Sequence, residues 1–475
     1  MPNDTYLFSC RENIVPHNEE ERAAIRLAIS DRQHLVDQDP EAADAGGLRS
    51  ELTLLSSLFA PIRRLPLEIL SAIVMQPDLH PSVSRGPESA TAHFGGRGTS
   101  PILAVSYHWR ATFLSTPDFW ALFGITLPGD ARIAHLLEMY LERSQGLPLS
   151  IEIRARRPGT IHPGILQQLI ESSDRWESLH LNLEPSHLSA LSPIRGRLPI
   201  LLSLEFYVGR GENHPLPGIA QPDYFEIAPQ LTRLQISLPT AAIPLLPLSQ
   251  LKTLLIFSWF NLPFATQCRN LHTLSIPGDV GDVWYKEVPD ELRRVGVGAM
   301  VLSTFPLMFE FITAPSVQVI EIVAGKAMQT PGAWAAFVER SACHPHTLQM
   351  EDVVVTSSEL IALLGLLPGL HTLDLHNLRP GAITNQLLAR LSEDTGGAIL
   401  PKLQNLSITG SYVFKYAALL DMLESRLESL ERVDLRLTQR FFTAEGLVRA
   451  RTVKEKGMDL VLWCLNVEKK FGRVV

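Results

Sequence analysis

Apolar residues near the start of the chain recur at three- or four-residue spacing. Ile25, Ile29 and Val36, with Arg32 on the same face, follow the acidic run Glu19, Glu20, Glu21. Acidic side chains suit the positive end of a helix, so the spacing predicts a helix beginning at that run. Pro40 and Gly46-Gly47 interrupt the pattern, and Leu48, Leu52, Leu55 and Phe59 resume it up to Pro61. Two helices are expected over residues 1–60, either as a short coiled hairpin or as a lead-in packed on the next domain.

From Ile62 the pattern changes. Leu65 to Val74 reads as a helix with Pro66 at its first position and Glu68 in its first turn; proline is tolerated there because its missing N–H has no helical partner anyway. Leu67, Leu70 and Val74 line one stripe, and Ile69 and Ile73 a second beside it. A helix this short and this apolar cannot cover itself: one stripe serves its own core and the other needs a neighbour. Residues 77–100, with Gly95, Gly96 and Gly98, read as an inserted loop. Helical spacing returns over Ile102 to Leu114, with Val105, Trp109 and Phe113 at i+4 steps and Arg110 beside the tryptophan. Ser115-Thr116-Pro117 is a break, and Asp118-Phe119-Trp120 opens another short apolar element.

The rest of the chain repeats itself. The pattern L-x-x-L-x-L, with other large apolar residues allowed, occurs at Trp176/Leu179/Leu181, Leu201/Leu204/Phe206, Leu231/Leu234/Ile236, Leu251/Leu254/Ile256 and Leu271/Leu274/Ile276. It continues at Leu292/Val295/Val297, Val317/Ile320/Ile322, Leu370/Leu373/Leu375, Leu403/Leu406/Ile408 and Leu430/Val433/Leu435, with a partial unit at Leu348-x-Met350. Most intervals lie near the roughly 20–29 residues of a leucine-rich repeat. The last two apolar positions of each unit alternate along a short strand and point inward, and the residues between them point outward. Stretches such as Glu359 to Leu367 and Tyr416 to Leu427 are expected as covering helices. After a helix over Ala131 to Ser144, Pro148 to Arg154 is expected as an N-terminal capping strand. The slot that holds Asn or Cys in regular repeats holds Glu184, Gly209, Pro239, Trp259, Asp279, Met300, Gly325, Leu378, Ser411 and Thr438. The side-chain ladder of that slot is therefore absent, and irregular curvature is expected.

Composition narrows the function. Of 475 residues, 75 are Leu, and acidic residues outnumber basic ones 50 to 42 for a net charge of -8. That balance argues against nucleic acid as a partner. Cys10, Cys268, Cys343 and Cys464 are too scattered for a disulfide framework or zinc site and fit a reducing compartment. No signal peptide and no membrane-spanning run is visible, so the chain reads as soluble and intracellular, cytoplasmic or nuclear, with no membrane partner. Gly95-Gly96-Arg97-Gly98 lacks the lysine and the strand-to-helix context of a phosphate loop. Cys343-His344-Pro345-His346 lacks a fourth metal ligand nearby in sequence. No nucleophile motif occurs. No enzyme activity, cofactor or metal is expected.

Leu65-Pro66-x-Glu68-Ile69-Leu70-x-x-Ile73, then Val105-Ser106-x-x-Trp109-Arg110, then Ser115-Thr116-Pro117-x-x-Trp120 resembles an F-box. The resemblance covers about 60 residues and departs from the family in the 24 residues from Pro77 to Ser100, where typical F-boxes have a short segment. It implies a small helical bundle that docks on a Skp-family adaptor and through it on a cullin-based ubiquitin ligase. The implied contacts are Leu65, Pro66, Glu68, Ile69, Leu70, Ile73, Val105, Trp109, Arg110 and Trp120. Pro66, Ile69, Ile73, Trp109 and Trp120 are then expected to be partly exposed in the isolated chain. The fold class that results is α+β: N-terminal helices (1–60), a small helical F-box bundle (61–124, loop 77–100) and an irregular leucine-rich-repeat α/β solenoid (125–475). Nothing in the chain resembles a catalytic cysteine region, so the implied role is that of a substrate receptor. The alternative is a protein-binding repeat scaffold with no ligase role. An unknown protein substrate is expected on the outward strand positions, with Phe257 and Trp259 as aromatic anchors and Asp374, His376, Asp434 and Arg436 as polar neighbours. The competing expectation is that Asn261 to Arg269 folds back over those aromatics.

Overall fold

The computed structural model describes residues 16, 18–38, 45–74, 107–155, 159–183, 185–208, 222–237, 244–257, 264–276, 295–298, 301–304, 306–323, 331–392, 398–410, 412, 414–437, 444–465 and 471–473. The expected loop 77–100, Val105 and Trp259 lie outside them. The chain is a mixture of helix and strand and folds as two compact units, residues 1–194 and 195–475.

In the first unit, Asn18 caps α1 (Glu19–Gln38), its Oδ1 accepting from the Glu21 amide at 2.8 Å. Helix α1 packs on α2 (Ala45–Ser57) through Ile25, Leu55 and Leu58, and Arg32 reaches Glu51 at 2.7 Å. The two helices thus form the hairpin. Gly46 and Gly47 do not break the pattern; they sit in the first turn of α2, whose amides have no partner inside the helix in any case. Helices α3 (Leu67–Val74), α4 (Tyr107–Ser115) and α5 (Pro117–Trp120) follow.

Three parallel strands complete this unit: β1 (Leu122–Leu127), β2 (Leu149–Ala155) and β3 (Trp176–Leu183), alternating with α6 (Ala131–Arg143) and α7 (Pro163–Glu171). Their register stacks Phe123 on Ile151 on Leu179, and Ile125 on Ile153 on Leu181, all buried. The segment expected as a capping strand is therefore internal, with β1 outside it. Phe123, Ile125 and Leu127 alternate as a strand should. The expected boundary between residues 124 and 125 falls inside β1.

The second unit is a ladder built from β4 (Ser203–Val208), β5 (Arg233–Ser237), β6 (Thr253–Ile256), β7 (Thr273–Ile276), β8 (Val295–Gly296), β9 (Val301–Thr304), β10 (Ile312–Thr313), β11 (Val319–Val323), β12 (Thr347–Glu351), β13 (Thr372–His376), β14 (Asn405–Gly410), β15 (Arg432–Leu437), β16 (Asp459–Leu465) and β17 (Phe471–Arg473). Strands pair in parallel in chain order, except that β8 and β10 form a small separate ladder and β17 pairs antiparallel to β16. Between strands lie α8 (Phe264–Gln267), α9 (Pro331–Ser341), α10 (Ser357–Gly365), α11 (Asn385–Leu391), α12 (Tyr416–Ser425) and α13 (Ala444–Glu455). One inward column runs Leu204, Leu234, Leu254, Leu274, Leu302, Ile320, Leu348, Leu373, Leu406, Val433, Leu460, each residue paired with the next and buried. A second column runs parallel to it two residues further along each strand.

Three differences from the sequence reading stand out in this unit. The expected unit at Leu292/Val295/Val297 does not join the main ladder; Val301–Thr304 takes that place, with Leu302 in the first column and Thr304 in the second. Two polar residues in four hide that strand from an apolar pattern. Leu348-x-Met350, which keeps only two of three positions, is a regular rung. Leu460 and Leu462 in β16 add a rung that the sequence reading did not include.

Arginines join successive rungs of the ladder. Arg175 donates to the Leu147 carbonyl at 2.8 Å and to Ser144 Oγ at 2.6 Å. Arg340 donates to the carbonyls of Phe309 and Ile312, both at 2.7 Å. Arg426, fully buried, donates to the carbonyl of Leu391 and to that of Ile399 at 2.9 Å. Each reaches back about one repeat. Bonds to a charged donor are worth about 1.5–3 kcal/mol each, and a buried carbonyl left without one costs its desolvation. Arg426→Met should therefore destabilise the chain by about 3 kcal/mol or more, read as a lower midpoint in urea unfolding; an unchanged midpoint would show that Arg426 does not clamp the rungs.

Candidate functional site

Two surfaces carry the candidate residues. The first is built on α3. Its start is set by Pro66, whose carbonyl accepts from the amides of Ile69 and Leu70 at 3.1 and 3.0 Å. Leu70 is fully buried and joins Trp109, Phe113, Phe119 and Trp120 in one core, with Leu65, Ile73, Met139 and Tyr140 half-buried against it. Trp120 Nε1 donates to the Leu114 carbonyl at 3.2 Å, its ring meets Tyr140 edge-on at 4.8 Å, and Arg143 lies over it at 4.6 Å. The outer side of α3 is different. Pro66 and Glu68 are exposed, Leu67 is 54% exposed and Ile69 48%.

This division corrects the sequence reading in two places. Trp109 and Trp120, expected at the surface, are only 6% and 5% exposed. Aromatic rings of that size are the natural filling for a bundle of such short helices. The stripes on α3 also differ: Leu70 and Ile73 pack on the core, and Leu67 and Ile69, one from each expected stripe, are exposed. Position i+3 lies closer to one helical face than a two-stripe count allows. Arg110 is exposed and Leu65 half-buried. Leu67, absent from the expected contact set, is more exposed than Ile69.

The second surface is the outward face of the ladder. Its middle row runs Glu205, Gln235, Leu255, Ser275, Ser303, Glu321, Gln349, Asp374, Ser407, Asp434, Val461 in cross-strand register. Phe257 is half-buried, its ring 5.8 Å from that of Tyr207 two strands away, and Gln235 donates to the Tyr207 hydroxyl. The anchor expected at Phe257 is thus a paired ring. Asp374 and Asp434 stand on either side of Ser407, and His376 and Arg436 on either side of Thr409. The four polar residues form one patch. Phe257 lies five strands away, about 24 Å at ordinary strand spacing, so the aromatic and polar sets do not converge on one pocket.

Within the polar patch, Gln349 Nε2 donates to Asp374 Oδ2 at 3.1 Å. Arg436 grips Asp434 with two bonds, at 3.2 and 3.0 Å. Burial pushes the Asp374 carboxyl above the usual range, His376 and Gln349 oppose the shift, and Asp434 adds to it. Burial pushes the Cys268 thiol up to about 12 and raises that of Cys343. Cys343 is buried while His344 and His346 are exposed, and among the described residues no group of three potential metal ligands gathers. No helix among the described residues is long and apolar enough to cross a membrane.

Two stability outcomes follow. Trp109→Ala should cost about 3–5 kcal/mol as a core truncation, whereas Ile69→Ala should stay within about 0.5 kcal/mol of the parent; urea unfolding checks both. A raised carboxyl binds its proton more tightly in the folded chain, so its ionised form costs stability at neutral pH and that cost fades as pH falls through the folded value. Asp374→Asn, which keeps an acceptor for Gln349, should raise the thermal midpoint at pH 7, with the gap to the parent closing as the pH is lowered. No protein-family model matches this chain, and no curated protein matches it in sequence.

Proposed function

We propose that this chain is a non-catalytic substrate receptor of an SCF-type (Skp–cullin–F-box) ubiquitin ligase. Helix α3 docks on the Skp-family adaptor, and the second unit, taken as an irregular leucine-rich-repeat-like solenoid, recruits a protein substrate on its outward strand face. The observation that carries this reading is the exposed set Pro66, Leu67 and Ile69 on a helix whose other side is locked by Leu70 into an aromatic core. Two exposed large apolar groups on one short helix are costly in water and suit an interface. The F-box-like order of residues from Leu65 to Trp120 supplies the identity of the partner. The protein would act by positioning: holding a substrate beside the ligase raises its effective concentration without covalent chemistry. The setting is intracellular, cytoplasmic or nuclear, with no nucleic acid, membrane, metal or cofactor involved.

A second reading has its own observation. The edge-on contact of Trp120 with Tyr140 in α6 ties the helical bundle to the first strands, which suits a bundle that only caps a binding scaffold. Capture of a purified Skp-family adaptor by the full chain separates the two. Wild type should retain the adaptor, and Leu67→Glu with Ile69→Glu should weaken capture at least tenfold while leaving the circular-dichroism melt unchanged. No capture by folded wild type would leave the scaffold reading.

A further inference from the structure

We draw no further inference here: the strongest candidate, the apolar surface patch that the exposed Leu27, Leu35 and Leu54 make on the helical hairpin α1–α2, carries nothing because nothing in the structure shows what covers it.

Discussion

Two inward apolar columns govern the second unit. A strand that contributes one residue to each column buries neither until a neighbour stacks on both sides. Register is therefore set by packing: a slip of one residue would send Leu373 and Leu375 outward and bring Asp374 into the core. Every outward position inherits its place from this constraint. Asp374, Ser407 and Asp434 align because Leu373, Leu406 and Val433 do. The outward face is in this sense a by-product of the core, free to vary in chemistry while its geometry is held from behind.

The columns alone do not satisfy the turns that join strand to helix. Their buried carbonyls need donors from elsewhere in the chain. Arg175, Arg340 and Arg426 answer that demand, each giving several N–H donors to carbonyls about one repeat earlier. Tyr412 works alike, donating to the Thr409 carbonyl at 2.7 Å and accepting from the Leu378 amide at 3.2 Å. A guanidinium has a longer reach than an amide and several donors, so it tolerates rungs of unequal length. That tolerance fits repeats whose starts are spaced from 20 to more than 30 residues apart.

Legibility in the sequence tracks the same physics. Strands whose inward pair is apolar, such as Leu234 and Ile236, could be read directly from alternation. The strand at Val301–Thr304 could not, because its second inward position is Thr304, a β-branched residue that fills the slot by shape and not by apolarity. The clamps were invisible for another reason. Nothing local distinguishes Arg426, which is fully buried, from Arg432, which is exposed; only the carbonyls some 30 residues earlier in the chain do. Candidate site residues divide in the same way. Asp374 and Asp434 were placed on one face by period-two counting, whereas their relation to Ser407 needed the register.

Helix α3 shows where periodicity runs out. Seven of its eight residues are apolar or small, so spacing alone permits several divisions between inside and outside. The choice is made by the rings of Trp109, Phe113, Phe119 and Trp120, which together leave room for Leu70 at the centre and for Leu65 and Ile73 at the margin. Once Leu70 is committed, Leu67 and Ile69, placed one and three residues from Pro66, must turn away from the core. The exposed apolar pair is thus the residue of a packing decision taken by aromatics distant in sequence. An exposed patch made in this way is held in place, because moving Ile69 inward would mean expelling Leu70 from a site with no exposure at all.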